Sequence, residues 1–174
     1  ASAALLGDLS NMIEQKQPAQ AEIELLKSRL VLGSAIKALN LDLHIAGTEN
    51  SFTDRLLSPH DYQTEYGKTS VLFKDNGKSF DIRQFEVPVY FHDKNLRLDF
   101  QQGKYTLTDP ATEQVVFSAP LNQRSQLQSE HGQWKVAIYS QNQFKAPYLV
   151  RKQSLPAAVK SILANYSVAE KGKM

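Results

Sequence analysis

The stretch Glu22–Leu43, EIELLKSRLVLGSAIKALNLDL, constrains the fold most, because its hydrophobic period changes partway along. Leu25, Leu32, Ile36 and Leu39 recur at offsets of seven, four and three, which keeps them on one face of an α-helix. A second stripe, Ile23, Leu26 and Leu30, covers only the N-terminal half and is followed on that side by Ser34 and Lys37. Directly afterwards Leu41, Leu43 and Ile45 alternate with Asp42, His44 and Ala46, the period of a strand with one wet face. The stretch therefore predicts a helix that runs straight into a strand. The full-length stripe is expected to face the core. The half-length stripe meets either a neighbouring element of the same domain or another subunit, and packing alone favours the neighbouring element.

Upstream, Leu5, Leu9 and Met12 share a helical face with Leu6 and Ile13 beside it, and Ser2 is a candidate cap. Gly7 and the polar run Glu14–Gln17 weaken that pattern, leaving a short fraying helix or a mobile segment as alternatives to an ordered element. Pro18 suits the first turn of the main helix, where its missing N–H costs nothing. Downstream, Ser51 and Asp54 predict a capped turn of helix through Leu57, closed by Pro59, with Tyr62–Lys68 read as loop.

The middle of the chain reads as strands: Ser70–Phe73, Phe80–Val87, Leu96–Gln101, Tyr105–Thr108, Val115–Phe117 and Trp134–Ser140, with Tyr148–Arg151 either a further short strand or the arm leading into the last helix. Asp75-Asn76-Gly77, Asp93-Lys94-Asn95, Gln102-Gly103 and Asp109-Pro110 are the turn signals between them. Connections this short favour antiparallel pairing, since parallel strands need a long crossover. A last helix, Leu155–Asn165, is capped by Ser154 with Pro156 in its first turn. Its apolar face is Leu155, Val159, Ile162, Leu163 and Tyr166, and Ser167–Glu170 reads as a strand after it. The expected architecture is a single α+β domain over residues 1–174, with amphipathic helices packed on one face of a mainly antiparallel sheet.

The 174 residues suffice for one domain with a core. A net charge of +2, with acids and bases interspersed, gives no electrostatic footprint for nucleic acid. No cysteine is present, which removes disulfides and thiolate chemistry together. No apolar run reaches the roughly 20 residues needed to span a bilayer.

No catalytic constellation is legible. The sequence has neither a Gly-x-Ser-x-Gly elbow nor a Gly-rich phosphate loop followed by Lys-Ser or Lys-Thr. His44, His60, His92 and His131 stand far apart, and the His60-Asp61 and His92-Asp93 pairs read as turns rather than dyads. Asp75-Asn76-Gly77 with Asp81 faintly suggests a calcium loop but reads better as a hairpin turn. Trp134, Tyr90, Phe91 and Tyr139 are candidates for a sugar-stacking platform, although aromatic residues on strands are more often core. No catalytic, cofactor-binding or metal-binding residue is therefore assigned.

The run Glu22-Ile23-Glu24-Leu25-Leu26-Lys27-Ser28-Arg29, then Val31-Leu32-Gly33 and Leu39-Asn40-Leu41-Asp42-Leu43, resembles the signature of the chain-length determinant (Wzz-type) superfamily of bacterial polysaccharide co-polymerases. It is closest to the branch fused to a tyrosine autokinase. Phe52–Asp54 before Arg55-Leu56, and the C-terminal helix leading into Ser167–Lys173, are weaker echoes. The resemblance implies a domain on the periplasmic face of the inner membrane, slung between two transmembrane helices. Such a domain sets the chain length and export of capsular or exopolysaccharide by oligomeric assembly. The implied partners are further copies of the parent, the polymerase and export machinery, and glycan; nucleic acid is not among them. ATP and magnesium would belong to the parent's cytoplasmic kinase domain, with no cofactor in these residues. In that family a strand precedes and another follows the region covered here, so unpaired sheet edges are expected, with residues from about 166 onward mobile or paired with a copy. Two rivals stand beside this reading: a kinase-free O-antigen chain-length regulator, and an unrelated extracytoplasmic glycan- or protein-binding module. In all of them Leu25, Leu32, Ile36 and Leu39 are the candidate core of the helix, and Ile23, Leu26 and Leu30 the candidate partner contact.

Overall fold

The computed structural model describes residues 2–48 and 61–172. The capped turn expected around Ser51–Leu57, the Phe52–Leu56 segment and His60 lie outside them.

Helix α1 runs unbroken from Ser2 to Leu39 and carries Pro18 in its interior. This corrects the expectation that Pro18 opens a new helix. A proline removes one N–H and crowds the preceding turn, but thirty-eight residues of mostly good helix formers propagate through it. The chain divides into two compact units, residues 1–35 and 36–174. The first is helix alone.

The second unit begins with the last turn of α1, which ends in a tight stop. Asn40 adopts the left-handed conformation (φ 55°), and the Leu41 N–H bonds back to the Ile36 carbonyl. Ten strands follow among the described residues, all paired antiparallel. They are β1 (Leu43–Gly47), β2 (Tyr62–Tyr66), β3 (Val71–Asp75), β4 (Lys78–Glu86), β5 (Asn95–Gln101), β6 (Lys104–Asp109), β7 (Gln114–Pro120), β8 (Gln123–Ser129), β9 (Gly132–Tyr139) and β10 (Tyr148–Lys152). Helix α2, Leu155–Lys171, closes the described chain.

The α+β class and the antiparallel pairing are as expected. The strands, however, divide into two five-stranded sheets, ordered β1-β10-β5-β6-β7 and β2-β3-β4-β9-β8. Inward residues of both sheets share one core: Leu96, Leu98, Tyr105, Leu107, Phe117 and Val150 from the first, and Val71, Phe73, Phe80, Ile82, Trp134, Val136 and Ile138 from the second. Each fully buried large side chain stabilises the fold by about 1.5–3 kcal/mol. Rings of both sheets interlock at one end, with Tyr148 5.3 Å from Phe73 and from Phe80.

Two strands were not expected. β2 occupies the segment read as loop, and β8 (QRSQLQS) has no alternating apolar residues to announce it. Both are sheet edges, where one neighbour suffices and few side chains are buried. A third correction concerns Ser167–Glu170, which continue α2 rather than forming a strand. Ala169, Glu170 and Lys171 favour helix, and Val168 is the only β-branched residue there. With helix at that end, the expectation of a broken ladder at residues 166–171 has no strand to rest on.

The turn signals are realised in detail. Asn76 and Gly77 both have positive φ (48° and 83°), the two-residue turn that matches strand twist between β3 and β4. At Arg83 an extra residue bulges β4 against β9, since Ile82 faces Ile138 but Gln84 faces Ala137. The bulge shifts the inward set from Phe80 and Ile82 to Phe85.

Candidate functional site

The predicted contact residues all stand in solvent: Ile23 is 51%, Leu26 60% and Leu30 72% exposed. Of the predicted core stripe, Ile36 is fully buried, Leu32 and Leu39 are half-buried, and Leu25 is exposed. The exposed stripe is longer than the signature. Leu5, Leu9 and Met12 are also exposed, spaced four and three apart, and eleven residues separate Met12 from Ile23. That is close to three helical turns, so both groups lie on one side of α1. The spacing of three and four is in the sequence, but reading Pro18 as a helix start hid its continuity.

A second feature lies wholly within the strand-bearing unit. Lys37, Asn40, Asp42, Arg83, Gln84, Phe85, Glu86, Arg124 and Lys152 line a cleft of about 360 Å³. The end of α1 brings Lys37 and Asn40 to it, β10 brings Lys152, the β4 bulge brings Arg83, and the edge strand β8 brings Arg124. Asp42 and Lys152 form a largely buried ion pair at 3.0 Å. Asp42 Oδ2 takes that bond, while its Oδ1 is buried without a hydrogen-bond partner. Arg83 lies over the Tyr139 ring at 3.8 Å and pairs with Asp81 at 3.1 Å. Lys37 and Arg124 form no side-chain ion pair among the described residues. Of these residues only Lys37, Asn40 and Asp42 lie in the stretch that the sequence singles out, because a cleft built from four separate segments leaves no local pattern.

The four platform candidates do not come together as one surface. Trp134 and Phe91 are buried, with their rings 5.0 Å apart, and Tyr139 lies under Arg83. Tyr90 is exposed, but His131 stacks on it at 4.2 Å and 7°, and Lys94 Nζ sits 3.5 Å from the ring centre. A closely stacked imidazole leaves no room for an ammonium on the same face, so the two groups cover both faces of the Tyr90 ring. A sugar would have to displace one of them.

Two of the remaining candidates, His44 and Asp93, hold structure. His44 Nε2 bonds to Gln153 Oε1 at 2.7 Å, and Asp93 Oδ1 accepts from the Ser154 N–H at 2.9 Å at the start of α2. No group of three His, Asp or Glu side chains that could hold a metal ion occurs among the described residues. None of the described helices is long and apolar enough to cross a membrane.

No family model matches the chain. A tyrosine-protein kinase ptk from Acinetobacter johnsonii is 65% identical over 174 residues, which is all of this chain but 24% of the kinase. The chain thus spans about a quarter of the length of the relative it matches.

Proposed function

We propose that this chain is a non-catalytic, extracytoplasmic segment of a larger polypeptide whose remainder is a protein-tyrosine kinase. The segment acts by assembly at the periplasmic face of the inner membrane, and through assembly it helps set the length and export of a capsular or exopolysaccharide. Similarity to the kinase across the whole chain supports the parentage. The signature of Glu22–Leu43 and its likeness to the polysaccharide co-polymerases support the process. ATP and magnesium would be held elsewhere in the parent, since no phosphate-cradling loop occurs in this sequence.

The observation that carries the assembly reading is the apolar stripe along one side of α1, a helix whose Leu6, Leu25 and Val31 on other sides are exposed as well. Leu5, Leu9, Met12, Ile23, Leu26 and Leu30 all face solvent in the single chain, with the spacing of a helix–helix seam. Its occupant is the same helix of a second copy, in parallel and in register. In that arrangement Glu22 of each copy flanks the seam five residues before the other copy's Lys27, the spacing at which opposite charges meet across a coiled coil.

The test is Leu26→Glu in the membrane-anchored parent, followed by native mass measurement in detergent and by polymer sizing. Loss of the oligomer with altered polymer length is the expected result. An intact oligomer and unchanged polymer would refute the reading.

A further inference from the structure

The cleft at the base of α1 carries more positive charge than the fold requires. Four cationic side chains line it against two carboxylates. Lys152 is committed to Asp42, and Arg83 to Asp81 and the Tyr139 ring. Glu86 has its own partner outside the cleft in Lys135, at 3.8 Å. Lys37 and Arg124 remain, reaching the same cleft from the last turn of α1 and from β8, with no carboxylate bound to either among the described residues. Like charges brought together in this way repel; the C-terminal end of α1 eases this for Lys37, in its last turn, but not for Arg124.

From this geometry we infer that the cleft binds an acidic saccharide through a carboxylate, held by Lys37 and Arg124. The guanidinium of Arg124 offers a planar pair of donors that matches a carboxylate, and Lys37 adds a point charge. The rest of the lining selects hydroxyl-bearing chemistry over apolar chemistry. Asn40 and Gln84 contribute amides, the Gln84 Nε2 already donating to Glu86 Oε1 at 3.4 Å, which leaves the Gln84 oxygen to accept, while Phe85 is the one apolar residue in the wall. Asn40 Nδ2 is already bonded to the Gly67 carbonyl at 2.9 Å, which holds that side chain in place and leaves its oxygen free to accept. The volume suits a sugar unit or two at the low end of ordinary ligand sites, roughly 300–1,000 Å³. A phosphate would meet the same cations but would leave the amides unused. The anionic part of this inference rests on the cleft itself; the saccharide part rests on the polysaccharide reading above.

The experiment is titration of the isotope-labelled chain with a glucuronate-containing tetrasaccharide, with neutral glucose oligomers and inorganic phosphate as parallel arms, followed by amide and arginine Nε–H shifts. The acidic saccharide is expected to saturate, with shifts centred on residues 37–42, 83–86 and 124. Arg124→Gln and Lys37→Gln should each weaken binding about tenfold, the loss expected for one charge-assisted hydrogen bond, with both chains melting as the parent does. Binding should also weaken with salt. Absence of saturation, equal binding by both charge-neutralised variants, or phosphate binding as tight as the saccharide would each overturn the inference. If the saccharide fails here while Leu26→Glu still dissolves the parent's oligomer, the cleft assignment falls and the assembly reading stands.

Discussion

Tyr148 of β10 donates its hydroxyl to Asp75 Oδ2 at 2.6 Å, a bond that fastens one sheet to the hairpin turn of the other. Burial is the main reason the Tyr148 phenol resists ionisation, and the bond to Asp75 adds to it. Burial alone does the same for Tyr105, and burial with the nearby Asp42 charge does so for Tyr66.

These three tyrosines predict alkaline instability. Their pKa values lie above the ordinary 10.0 in the folded chain, so above that pH the unfolded chain releases protons that the folded chain keeps. Their contribution to stability is complete below about pH 10 and declines as pH rises toward the folded-state values. Chemical denaturation between pH 8 and 11.5 should show stability falling above pH 10. Phenylalanine at position 105 should make that fall shallower.

Tyr105 and Tyr148 should respond oppositely to loss of the hydroxyl at neutral pH. The Tyr105 oxygen is buried without a hydrogen-bond partner, so Tyr105→Phe should be neutral or stabilising by about 1 kcal/mol. Tyr148→Phe removes a made bond to a carboxylate and should cost about 1–3 kcal/mol. Urea midpoints of the two variants measure the contrast.

Gly47 ends β1 directly against the ring of Tyr62 in β2, and a methyl group there would overlap the ring. Gly47→Ala should therefore destabilise by about 1–3 kcal/mol. Tyr62→Ala in the same chain should recover most of the added loss, because it removes the obstruction. A double-mutant cycle by thermal melting reads this directly.

Within α1, Ile36→Ala should cost about 2–5 kcal/mol, since its side chain is fully buried. Leu30→Ala should stay within about 0.5 kcal/mol in the isolated chain. Equal losses would show that the solvent-facing stripe is not free in this chain.

What the sequence disclosed follows from which interactions are local. Period-two alternation revealed strands such as Trp134–Ser140, and Asn76-Gly77 revealed its turn, because each pattern is written in consecutive residues. β8 was silent because an edge strand with both faces wet needs no alternation, and Leu127, its one large apolar residue, is itself exposed. The division into two sheets was equally hidden, since alternation says that one face is buried but not what buries it. The cleft depends on Asp42 meeting Lys152 and on a bulge that re-aims Arg83, and neither has a signature in consecutive residues. The apolar stripe on α1 was half legible: Ile23, Leu26 and Leu30 share a face in the sequence, but Leu5, Leu9 and Met12 joined them only once α1 proved continuous through Pro18.

The central claim, that α1 is an assembly surface between copies in parallel register, is tested most directly by disulfide cross-linking. This chain has no cysteine, so Leu26→Cys and Ser28→Cys each supply its single thiol, in a parent whose cysteines elsewhere have been replaced by serine. Leu26 lies in the seam and Ser28 on the opposite side of the helix, and both are exposed in the single chain. Mild oxidation in membranes should give a covalent dimer at Leu26→Cys and little at Ser28→Cys. No dimer at position 26, or equal yields at the two positions, would contradict the account.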